Sequence, residues 1–135
     1  MTPTLFGRWQ SRLFLLGTLG LLITIFFALL SRSIAPLLIL GLVMGLGLGW
    51  DVLYSRWQKR RWDHDWPPLL QFAAGTFEGL FVYGLLYGLN LSNNLPPTPL
   101  FWLHYSLVWL FTFAASQSFM RLYFPRWRYR GGQWL

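Results

Sequence analysis

The chain has 135 residues, a formal net charge of +7 and no cysteine; 55% of its residues are hydrophobic and 11% are charged. Soluble domains carry about 25% charged residues, so a water-soluble fold is excluded, and the apolar content excludes disorder. The absence of cysteine removes a disulfide framework, a thiol nucleophile, a Cys-based zinc site and a Cys-ligated iron–sulfur cluster.

A membrane-spanning helix needs about 20 mostly apolar residues. Four segments meet this, at about 13–30, 34–54, 69–89 and 100–120. The expected fold class is an all-α integral membrane protein: one membrane domain over 1–135, a four-helix bundle with both termini cytoplasmic. The short connections leave no room for an attached soluble domain. The first segment resembles a signal peptide in having Arg8 and Arg12 before it. Its apolar run is longer than a usual signal core, and Pro36 follows the nearest small-x-small site, so the helix is expected to be retained.

Orientation follows from the basic residues. Arg8, Arg12, Arg56, Lys59, Arg60, Arg61, Arg121, Arg126, Arg128 and Arg130 fall on one side of a four-span arrangement, and Arg32 alone falls on the other. The crowded side is expected to be cytoplasmic. Trp9, Trp50, Trp57, Trp62, Trp66, Trp127 and Trp134 gather near the same interface, where indole rings favour the headgroup level. Arg56, Lys59, Arg60 and Arg61 in the middle connection, with Arg126, Arg128 and Arg130 in the tail, are expected to bind anionic lipid headgroups. The same residues would suit a nucleic-acid backbone, but lipid phosphates are nearer, and no nucleic-acid partner is expected. Pro67 and Pro68 suit the first turn of the third span, and the Pro-rich connection before the fourth stops the third from continuing. The tail is expected to lie on the cytoplasmic leaflet, with Pro125 ending or bending the fourth helix.

Glu78 carries the most information about function. It lies near the middle of the third span, about 13 Å from the cytoplasmic end at 1.5 Å per residue. A carboxylate at that depth must be neutral, paired or hydrated. The segmentation puts no Lys or Arg at the same depth. Glu78 is therefore expected to be protonated and to donate to a hydroxyl or carbonyl, with Thr112 the nearest estimated neighbour. Tyr105, Trp109, Thr112 and Ser116 form one stripe on the fourth span, and Gln71, Gly75 and Glu78 share a face of the third. The two stripes are expected to meet, making Glu78, Thr112, Gln71 and Tyr105 an intramembrane polar site.

Gly41, Gly45 and Gly49 repeat every four residues on the second span, and Gly75 and Gly79 do so on the third. Such stripes let helix backbones approach closely. Packing of spans two and three against each other is the simplest use; a groove for another chain or a flat cofactor is the rival. Asp51 is expected to form an interfacial ion pair with Arg56, Arg61 or Arg121.

No metal site is expected at Asp63-His64-Asp65, because three consecutive side chains do not converge easily on one ion. No cofactor is expected either. Tetrapyrrole ligation by His104 is the less favoured alternative to a hydrogen-bonded histidine, since a transmembrane haem usually takes two histidines. No nucleophile motif, phosphate-binding loop or zinc-protease motif is present, so no catalytic residues are assigned and no enzyme is expected. The leading functional expectation is a small non-catalytic subunit, assembly factor or scaffold of a complex in a bacterial cytoplasmic or internal membrane. It would work with a membrane-protein partner or as a homo-oligomer. The alternative is an oligomeric transporter or channel with Glu78 as its protonatable site.

Overall fold

The computed structural model describes residues 3–91 and 93–123. Among them every regular element is helical. Three helices, α1 (Leu5–Ser31), α2 (Ala35–Arg60) and α3 (Pro68–Gly88), are long and apolar enough to cross a membrane. A fourth, α4 (Thr98–Gln117), and a short α5 (Phe119–Tyr123) follow. At 1.5 Å per residue α4 is about 30 Å long, but Trp, Tyr, His and hydroxyl side chains dilute its apolar run.

The first helix begins earlier than its apolar run implies. Thr4 caps it, its hydroxyl accepting from the Gly7 N–H at 3.1 Å. Arg8 and Arg12 consequently stand on the helix rather than in a tail. Residues Leu16–Gly20 form a π-helical turn, and beside it the Thr18 hydroxyl donates to the Phe14 carbonyl at 2.7 Å. The helix stops at Arg32, whose left-handed backbone (φ 49°) lets its N–H reach the Ala28 and Leu29 carbonyls. The Ser33 hydroxyl then accepts from the Ala35 N–H, and Pro36 sits in the first turn of α2. Lys59 and Arg60 occupy the last turn of α2, where cations favour the negative helix end. Pro68 and Pro99 stand in the first turns of α3 and α4. The last helix breaks at Ser118; Pro125, expected to end it, lies outside the described residues.

Side-chain pairing fixes how the rods run. Arg8 reaches Gln58 and Gly20 lies against Leu40, so α1 and α2 are antiparallel. Gln71 bonds Ser116 while Gly79 lies against Tyr105, so α3 and α4 are antiparallel too. Gly20 also lies beside Val108 and Thr24 bonds His104, which brings α4 back to α1. The core between them contains Leu16, Ile39, Leu40, Val43, Val82, Phe101 and Val108. The outer faces carry Leu22, Leu29, Leu38, Leu69 and Phe111, each more than half exposed. Water would penalise such surfaces, whereas lipid tails satisfy them.

The glycines divide differently from the expected seam between spans two and three. A Cβ on Gly75 would lie 1.4 Å from the Trp109 indole nitrogen, and one on Gly79 would lie 2.4 Å from the Tyr105 ring. These two glycines accommodate the bulky rings of α4. A Cβ on Gly41, Gly45 or Gly49 meets nothing within 4 Å, because this stripe faces outward. Instead α2 meets α3 through Trp50, edge-on to Phe77 and Phe81 at centroid distances of 5.2 and 5.1 Å. Replacing Gly75 by alanine is expected to cost at least about 1–3 kcal/mol, the usual range for overpacking. Gly45→Ala is expected to leave stability level or slightly raised. Denaturation of both variants in detergent, followed by circular dichroism, checks the contrast.

Candidate functional site

The polar interior is organised by Arg12. Its Nε and Nη2 donate to the two Asp51 carboxylate oxygens, each at 2.9 Å. Its Nη1 and Nη2 donate to the two Glu78 oxygens at 2.8 and 3.0 Å. Four of its N–H donors are thus spent in two forked pairs. The side chains of Asp51 and Glu78 are only 4% and 7% exposed, that of Arg12 18%. The three groups come from α1, α2 and α3 at matching depths. Counting from the basic helix ends, each lies about 10–15 Å inward at 1.5 Å per residue.

This corrects two expectations. Glu78 does not donate to Thr112; both of its carboxyl oxygens face the Arg12 guanidinium. Asp51 is paired with Arg12 rather than with Arg56, Arg61 or Arg121. The physical reason is the early start of α1, which carries Arg12 into the layer where the apolar run alone places no cation. Gly47 makes room for it: a Cβ there would lie 2.3 Å from Arg12 Nη1.

One helical turn earlier, Arg8 donates from Nη2 to the Gln58 amide oxygen at 2.7 Å and lies over the Trp66 ring at 4.4 Å. The Gln58 amide in turn donates to the His64 carbonyl at 2.8 Å, tying the middle connection to this end. One buried donor here, Arg8 Nε, has no partner among the described residues.

Glu78, Thr112, Gln71 and Tyr105 all border one cleft of about 170 Å³ at the basic end of the rods. Within it the Tyr105 hydroxyl donates to the Gly75 carbonyl at 2.6 Å. Gln71 donates to Ser116 at 3.1 Å and accepts from Gln117 at 2.8 Å. Thr112 turns back to the Trp109 carbonyl of its own helix at 3.0 Å and makes no bond to Glu78.

Arg56, Lys59 and Arg60 are exposed at the end of α2. Arg61 instead forks onto Asp63 at 3.1 and 2.9 Å. Arg126, Arg128 and Arg130 lie outside the described residues. His104 is 3% exposed; its Nε2 is engaged with the Thr24 hydroxyl at 2.9 Å, and its Nδ1 is buried without a partner among the described residues. Among the described residues no cluster of His, Asp and Glu has the makings of a metal site.

No family model matches this chain, and no curated protein or solved structure shows significant similarity to it. A guanidinium shared by two carboxylates is an electrostatic clamp: it offsets charges that the interior cannot hold singly, and it ties three helices to one point.

Arg12→Gln strands two carboxylates and is expected to destabilise by about 3–5 kcal/mol, the cost of breaking a buried pair. Glu78→Gln keeps the Asp51 fork and should cost less. Unfolding in graded denaturing detergent ranks the two. In the connection, the Arg61 guanidinium pulls the Asp63 carboxyl down to about 2 by direct hydrogen bonding. The Arg61–Asp63 pairing is therefore present above the ordinary carboxylate range and is lost as pH falls through about 2. Arg61→Gln should return Asp63 to its ordinary range, which carboxyl-selective NMR titration reads directly.

Proposed function

We propose that this chain is a non-catalytic subunit, assembly factor or scaffold of a membrane complex. It crosses the bilayer four times as a four-helix bundle, with the basic end and both termini cytoplasmic. Placing α4 as a crossing puts Arg8, Arg56, Lys59, Arg60, Arg61 and Arg121 on one side and Arg32 on the other, which the positive-inside rule favours.

The observation that carries the reading is the outward glycine stripe of α2. Gly41, Gly45 and Gly49 are exposed, with open space where each Cβ would stand, and exposed Leu38 and Leu53 flank them. Lipid tails are as apolar as leucine, so helices associate in a bilayer through close backbone approach, which small residues permit. The stripe is not consumed by packing within the chain. It suits a helix of a partner membrane protein or of a second copy.

A second reading is an oligomeric transporter with Glu78 as a protonatable site. It is favoured by one observation, that Glu78 borders the cleft. To take up a proton, Glu78 must release two bonds from Arg12, so the clamp weighs against it.

Tagged purification from native membranes in mild detergent, followed by native mass spectrometry, tests the first reading. A stoichiometric companion or a discrete homo-oligomer is expected. Gly45→Leu should reduce that association about tenfold or more while leaving the fold intact, since it blocks the close approach on which the contact depends. A parent chain recovered alone, or a companion indifferent to Gly45→Leu, counts against it.

A further inference from the structure

We infer that the cleft at the basic end holds the anionic phosphate headgroup of one membrane lipid, apart from the cations at the end of α2 and in the connection after it. The charges bordering the cleft do not balance. Arg8, Arg12 and Arg121 line it against Asp51 and Glu78, leaving one positive charge in excess. Both carboxylates are committed to Arg12 through all four of their oxygens. Arg8 and Arg121 make no ion pair among the described residues.

Arg8 is anchored by Gln58 and Trp66 and keeps a buried Nε without an acceptor. Arg121 is exposed at the start of α5 and lines the same cleft. One monoanionic phosphodiester makes this set neutral, and guanidinium groups are the side chains best matched to phosphate oxygens. The remaining lining suits an amphiphile. Gln71 and Gln117 line it with neutral polar groups, and Leu15, Val108 and Phe113 with apolar wall. A lipid is the source because the basic end stands at headgroup level, where such phosphates are abundant. The site is independent of the α2 glycine face, so the two readings fail separately.

The test reconstitutes the full-length chain into vesicles of equal phosphatidylglycerol and phosphatidylcholine and releases it for native mass spectrometry. One phosphatidylglycerol is expected to stay bound, and Arg121→Gln should cut its retention about tenfold, as the loss of one charge-assisted contact implies. Arg121 is exposed, so folding should be unaffected, and an unchanged melting transition verifies this. Arg60→Gln, which removes a cation outside the cleft, should leave retention as in the parent. Equal retention of the two lipids overturns the inference. So does an equal loss in Arg60→Gln, which would mark general surface attraction. Displacement of the lipid by inorganic phosphate that binds on its own would mark a free-anion site and overturn the lipid assignment.

Discussion

Two carboxylates in the apolar interior share one guanidinium, and the arrangement of the helices follows from that sharing. Asp51 stands on α2 and Glu78 on α3, and neither helix supplies a cation at their depth. Arg12 must therefore come from α1, and α1 must start early enough to carry it inward. The capped turn at Thr4 provides that start, and Gly47 provides the gap through which the guanidinium passes. Each charge alone costs several kcal/mol in such surroundings. Together they are tolerated in one geometry, and that geometry sets the register of three helices.

The large rings are placed around this clamp. Trp109 and Tyr105 of α4 need the space that Gly75 and Gly79 leave on α3, and the Tyr105 hydroxyl closes onto the Gly75 carbonyl. Trp50 fills the contact between α2 and α3 against Phe77 and Phe81. With these seams occupied by rings, the glycine stripe of α2 is left for the outside. Aromatic wedges thus meet the interior packing needs, and a smooth small-residue face remains exposed, the face on which the proposed partner helix would dock. The cleft beside the clamp adds a polar recess at the basic end of the helices.

Much of the fold is legible in the sequence, because the apolar runs that make membrane helices are long and Pro36, Pro68 and Pro99 mark helix starts. Less of the site is legible. Glu78, Gln71 and Tyr105 stand out as polar groups in apolar runs, and the facing stripes follow from helical periodicity. Arg12 is missed because hydropathy places a helix boundary at the last charge, although backbone hydrogen bonding carries α1 on to Leu5. A signal was present. Arg8 and Arg12 are four residues apart, one above the other on a helix, and two unpaired acids lie at matching depths in later helices. The division of the glycines is not legible, since the 4-residue repeat is the same whether a partner ring or lipid lies opposite.

The arrangement of the helices rests on Glu78 being held by Arg12 through two hydrogen bonds. Infrared spectroscopy of the reconstituted protein near neutral pH, compared with Glu78→Gln, tests it most directly. The parent-minus-variant difference is predicted to contain a carboxylate stretch and no protonated carboxyl C=O band. A protonated C=O band that vanishes in the variant would contradict the clamp and return Glu78 to the role of a neutral hydrogen-bond donor.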